Sequence, residues 1–237
     1  MSDGIFTAAA GAVARQNQLD VAANNLANVN TTGFRASKSS FEEVLTEATS
    51  PSQHFVVGGE SRLSVEAGPL IKTGNPLDLA LNGPAFFAAR AEGGVPVLLK
   101  TVSLQVSADG LLTDSSGRPL LQNGNIVHLD PQRPLTVSAE GELSQDGVIM
   151  GRLDVFSVAD PGALSYAGAG SFIPNEQSGL PFLAQAEVIG GCIEGSNVNP
   201  VGGMVEMITI QRDYQSLLKV VSAYKEADER LIRTTGE

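Results

Sequence analysis

The two ends of this chain carry apolar seams at heptad spacing, and the middle carries none. Near the C-terminus Met207, Ile210, Tyr214, Leu217, Val221, Tyr224 and Leu231 follow one another at intervals of three and four, interrupted only where Asp228 takes an apolar position. Near the N-terminus Ile5, Ala12, Leu19 and Leu26 recur every seven residues, with Ala8, Ala9, Ala22 and Ala23 filling the adjoining stripe. A narrow alanine-rich face invites close approach by a bulkier one, so the spacing predicts two terminal helices that pair as a coiled coil and bring the chain ends together. The middle offers no helical partner for either seam. The expected fold is mainly β with α-helical termini, a central antiparallel β domain beside a helical coiled-coil domain, and the expected product is an assembly subunit.

Composition narrows the function. With 26 acidic and 15 basic residues the formal charge is −11, and no run of Lys and Arg interrupts the acidic background, which argues against binding nucleic-acid phosphates. The single Cys192 excludes an internal disulfide framework, and two histidines, His54 and His128, leave few soft metal ligands. Neither a cofactor nor a metal is expected. The apolar run Ile5 to Ala14 lacks the basic residues that precede a secretory leader, Asp3 stands in their place, and the heptad runs through the Ala12-Val13-Ala14 pseudo-cleavage site, so no cleaved signal is expected. No apolar stretch is long enough to span a membrane.

Along the chain, the first helix is expected from about Ser2 or Asp3 to about Asn28, where Asn30-Thr31-Thr32-Gly33 stops it. Paired terminal helices are thus expected within 1–33 and 197–237. The segment 34–69 reads as an extended connector with one helical turn at Phe41 to Leu45, 70–190 as the β domain, and 191–196 as a return linker. Asn82-Gly83, Asp109-Gly110, Asn123-Gly124 and Asp146-Gly147 punctuate short β-prone runs in the manner of hairpins. The stretch from Asp160 to Gly191, with Ala167-Gly168-Ala169-Gly170, reads as irregular. Asn199 and Pro200 open the last helix as N-cap and first helical residue. Gly202 and Gly203, at about 1 kcal/mol each against Ala, predict a fraying start.

The carboxylates Asp109, Asp114, Asp130 and Asp146 sit beside turns, where Asp braces backbone, so a catalytic pair is not expected. Cys192 has no neighbouring His or basic setting that would make it a nucleophile. The amides Asn24, Asn25 and Asn28 crowd a helix end in which Asn is a poor helix former, and this density predicts lateral hydrogen bonds to neighbouring subunits. Asn197 and Asn199, in the echo of Asn28-Val29-Asn30 by Asn197-Val198-Asn199, join them as candidate interface residues, together with the seam positions above.

The run from Leu19 to Arg35, LDVAANNLANVNTTGFR, resembles the N-terminal signature of the bacterial flagellar rod and hook proteins over seventeen consecutive positions. Thr73 to Gly83 followed by Phe86-Phe87 is similar to the segment that opens the family's β domain, and Gly195 to Val201 with Met204 to Ile208 and Gln211-Arg212 is similar to its C-terminal helix. Length and Glu194-Gly195 look more like the proximal-rod members than the longer distal-rod ones. Two departures stand out: Lys100 to Val106 lacks the usual Arg and Gly entering a strand, and Gly202-Gly203 replaces helix formers.

The resemblance implies a non-enzymatic axial subunit of the flagellar basal body, sited in the periplasmic rod and exported through the flagellar type III apparatus. Its terminal helices would form the inner wall of a helical tube, the β domain would face outward, and its partners would be proximal and distal rod subunits and further copies of itself. The residues alone leave two alternatives open: a distal-rod or hook-type subunit, and a secreted β-domain binding module with oligomerising helices.

Overall fold

The computed structural model describes residues 2–46 and 53–235, and the chain divides into two units. The first gathers Met1–Ala27, Ser37–Arg62 and Asn199–Glu237; the second gathers Asn28–Ala36 and Leu63–Val198. The molecule is mainly β, with antiparallel strand pairs and one helix near each terminus.

In the first unit, helix α1 (Ser2–Ala27) is alanine-rich and free of proline, and it stops where the turn formers begin. Helix α2 (Pro200–Thr235) starts at the proline, whose missing N–H would have had no partner in a first turn. The Asn199 side chain accepts from the Gly202 N–H at 3.1 Å, and Asn199 O accepts from Gly203 N at 2.9 Å. That cap supports the helix through the two glycines.

The helices pack against each other antiparallel: Gly4 faces Tyr224, Gly11 faces Leu217 and Arg15 faces Asp213, one number falling as the other climbs. Ser37–Thr46 and Gln53–Leu63 form a two-stranded sheet. Where a connector with a helical turn at Phe41 to Leu45 is expected, the chain is a strand, because a neighbouring strand supplies the hydrogen bonds that one short turn would have to make alone. Residues 47–52 of that connector lie outside the described residues.

The second unit is built on a six-stranded sheet in the spatial order Ser165–Gly168, Ser171–Ile173, Pro96–Leu99, Phe86–Arg90, Val155–Ser157 and Phe182–Leu183. Both faces are covered, which explains why consecutive residues such as Phe86 and Phe87 are buried together. Phe87, Ala89, Val97 and Leu99 enter the larger core with Leu79, Leu112, Leu120 and Leu143, whereas Phe86, Leu98 and Phe172 enter a smaller one with Leu63, Val158 and Leu164. The Asn123-Gly124 and Asp146-Gly147 pairs have left-handed φ values, 50° and 74° and then 51° and 80°, as two-residue hairpin turns require.

Two expectations about this half need correction. The Gly/Ala/Pro-rich stretch is not irregular: Ser171 and Phe172 pair with Leu99 and Leu98, and Val188–Gly190 pairs with the strand Asp78–Leu81. The supposed return linker contains Cys192–Glu194, paired antiparallel with Leu70–Lys72. In each case the partner strand, more than local composition, holds the backbone extended.

Candidate functional site

The first candidate surface is the helix pair. On α2 Ile210 is buried, and Met207, Tyr214, Leu217, Val221 and Tyr224 are half-buried; on α1 Ala12 is buried and Ile5, Leu19 and Leu26 are half-buried. Ala8 and Ala22 are buried as well, whereas Ala23 is exposed. The side chains of Asp228 and Leu231 lie outside the described residues.

Close approach depends on small residues. A Cβ at Gly4 would stand 2.7 Å from the Tyr224 hydroxyl oxygen, and one at Gly11 would stand 3.5 Å from Leu217 Cδ1. Arg15 and Asp213 pair at 3.3 Å but are both well solvated, so the bridge contributes at most about 1 kcal/mol. A second apolar row on α2 was not singled out in the sequence: Val201, Met204, Val205 and Ile208, at spacings of three, four and seven, are all more than half exposed. Their helical spacing was legible, but the stronger heptad beside them masked it.

The asparagines are employed differently from the sequence-based expectation. Asn25 Nδ2 donates to Ser37 O and Asn25 Oδ1 accepts from Ser37 N, each at 2.8 Å, so one amide imitates a backbone pair and ties the first strand to α1. Asn28 Oδ1 accepts from Thr31 Oγ1 at 3.1 Å and from the Tyr166 hydroxyl at 3.2 Å. Asn197 Oδ1 accepts from Ala36 N at 2.7 Å while its Nδ2 donates to Glu66 O at 2.9 Å. These bonds brace chain reversals within the subunit; Asn24 is exposed. Asn25→Ala is therefore expected to cost about 1–3 kcal/mol of monomer stability, because Ser37 loses both partners. An unchanged chemical-denaturation midpoint for the isolated subunit would reverse this assignment.

The second unit seats the chain segment that follows α1. Phe34 is 1% exposed and meets Tyr166 edge to face at a centroid distance of 4.9 Å. Gly33, at φ 70°, donates to Glu194 O at 2.7 Å. Arg35 and Glu194 form a buried ion pair at 2.6 Å, Arg35 also donates to Glu66 O, and Glu194 Oε1 accepts from Gly68 N at 2.8 Å. Gly68 lies so close to the Gly195 carbonyl that a Cβ would overlap it.

Lys100, 2% exposed, donates to Gly83 O at 2.6 Å and Ala85 O at 2.8 Å and lies 4.9 Å from the Phe86 ring centre. Burial pushes its pKa down from 10.5 to about 8, with Glu194 opposing and Arg35 reinforcing the shift. The unfolded chain therefore holds this proton more tightly, and the cost to the fold is present in full below about pH 8. Stability should rise by up to about 3 kcal/mol between pH 8 and 10.5, relative to a Lys100→Met variant. Parallel pH–stability curves for the two proteins would contradict this.

The remaining candidates do structural work. Asp114 accepts from Ser116 N and Arg118 N and pairs with the Arg118 guanidinium at 2.7 Å; Asp130 accepts from Gln132 N. His128 is exposed and Cys192 half-buried. Among the described residues no cluster of His, Cys, Asp and Glu could hold a metal ion, and no helix is long and apolar enough to cross a membrane.

The chain thus combines an antiparallel pair of terminal helices with a β unit that gathers in residues 28–36 and 63–198. The family model described as flagella basal body rod protein matches residues 5–35, and that described as flagellar basal body rod FlgEFG protein C-terminal matches residues 189–234. The chain is 30% identical over 240 residues to the flagellar basal-body rod protein FlgF of Mesorhizobium japonicum, covering 100% of this chain and 99% of that one. It is 28% identical to the FlgF of Caulobacter vibrioides with the same coverage, and 30% identical to the flagellar basal-body rod protein FlgG of Agrobacterium fabrum over 94% of each chain. The chain belongs to the flagellar basal-body rod proteins, a family of structural rather than catalytic subunits, and among them it is most like FlgF.

Proposed function

We propose that this chain is a subunit of the proximal rod, that its helix pair is a coiled coil, and that the exposed row Val201, Met204, Val205 and Ile208 packs against neighbouring rod subunits. The observation that carries the rod-subunit reading is end-to-end similarity to FlgF proteins. The exposed row supports the packing surface, since a helix with a second apolar stripe still has area to bury.

On this reading the seam residues Ile5, Ala12, Leu19, Leu26, Met207, Ile210, Tyr214, Leu217, Val221, Tyr224 and Leu231 set the shape of the helix pair. Asn25 fastens the strand Ser37–Thr46 to α1, and Asn199 caps α2. Partners are other rod subunits and further copies of the chain, reached after export through the flagellar type III apparatus, and the working location is the periplasmic rod.

The test is complementation of a strain lacking the gene. Leu217→Ala and a charged replacement of the row, Val205→Glu, should each abolish swimming and rod incorporation while the second unit melts as in the wild type. Normal swimming by both variants would refute the reading.

A further inference from the structure

The second unit contains a cleft of about 360 Å³, within the range of about 300–1,000 Å³ usual for ligand sites. Leu63, Phe86, Leu164 and Phe172 give it apolar walls, and Arg35, Glu194 and Lys100 supply the charge. Val65 and Leu70, 69% and 51% exposed, add apolar surface open to solvent.

The charges do not balance. Arg35 and Glu194 neutralise each other, which leaves the Lys100 ammonium. Two of its three N–H donors are used by Gly83 O and Ala85 O, and the ammonium lies 4.9 Å from the Phe86 ring centre; the third N–H has no oxygen acceptor among the described residues. A neutral apolar ligand would leave that donor unmet, and a cation would be repelled. A phosphate dianion would surrender too much hydration against apolar walls. A single carboxylate on an apolar body meets both features.

We infer that the cleft receives the glutamate or aspartate side chain of another polypeptide, flanked by apolar residues, with its carboxylate on Lys100. A polypeptide is the fitting source because a rod subunit is surrounded by other chains, and in that respect the inference rests on the rod-subunit reading.

The test uses the full-length chain, ¹⁵N-labelled, titrated with acetyl-Leu-Glu-Leu-amide, acetyl-Leu-Gln-Leu-amide and hexanoate. The Glu peptide should shift the amides of Gly68, Gly83, Ala85 and Phe86 saturably, with the Gln peptide at least tenfold weaker and hexanoate weaker than the Glu peptide. Lys100→Met should abolish the response. Ala67→Trp keeps Lys100 while placing bulk on an exposed residue that lines the cleft, and it should abolish the response with an unchanged melting curve. Equal response to both peptides, survival of the response in Ala67→Trp, or tighter binding of hexanoate would each overturn the inference. The readout needs no assembled rod, so its failure leaves the rod-subunit reading standing, and loss of rod incorporation would not by itself touch this result.

Discussion

Glu194→Ala is expected to lower the unfolding free energy by about 3–5 kcal/mol, measured by urea denaturation of the isolated chain. The carboxylate holds three things at once: the Arg35 guanidinium at 2.6 Å, the Gly68 N–H at 2.8 Å, and part of the field that keeps Lys100 charged. Removing it leaves two buried cations facing one another, a far worse state than a missing surface bridge. The companion experiment replaces both partners, Arg35→Met with Glu194→Leu. A buried pair can often be exchanged for apolar residues of similar volume at little cost, so the double variant should recover a large part of the loss, less what the orphaned Gly68 N–H withholds. A loss below about 1 kcal/mol for Glu194→Ala would mean that water reaches the pair.

Phe34→Ala should cost a similar amount, about 3–5 kcal/mol, by a different mechanism. The ring is 1% exposed and set at 88° against Tyr166, and the backbone around it is fixed by Thr31 O accepting from Phe34 N and Phe34 O accepting from Asn197 N. The cavity cannot collapse without breaking those bonds, so relaxation offsets little of the loss. Phe34→Leu, which keeps most of the volume, should cost markedly less. Equal losses for the two substitutions would place the energy in the aromatic contact with Tyr166 instead of in volume.

What could be read beforehand divides along physical lines. The ends of both helices were legible because caps and breakers act within a turn: Asn199-Pro200 opens α2, and α1 stops as the Asn and Thr residues begin. Hairpin turns were legible for the same reason, through residues that tolerate left-handed φ. The strands of the Gly/Ala-rich stretch were not, since Phe172 is held by Leu98, far away in sequence. The asparagines were read as facing neighbours because local sequence shows their density and not their partners; Asn197 is bonded to Ala36, 161 positions away. Arg35 looked like one residue of a signature, and its pairing with Glu194 could not be seen from spacing.

That long closure has a consequence for how the chain is made. Residues 28–36 are the first part of the second unit to be synthesised, yet Arg35 meets its buried counter-ion, and the Ala36 N–H its acceptor, only when Glu194 and Asn197 arrive. Until then, burying the guanidinium would take its charge out of water without that carboxylate to offset the cost. A polypeptide cut short before Glu194 is therefore expected to leave the corner around Arg35 and Gly68 open, which limited proteolysis of a chain ending at residue 193 would show. The buried pair thus fastens the opening residues of the second unit to its closing ones.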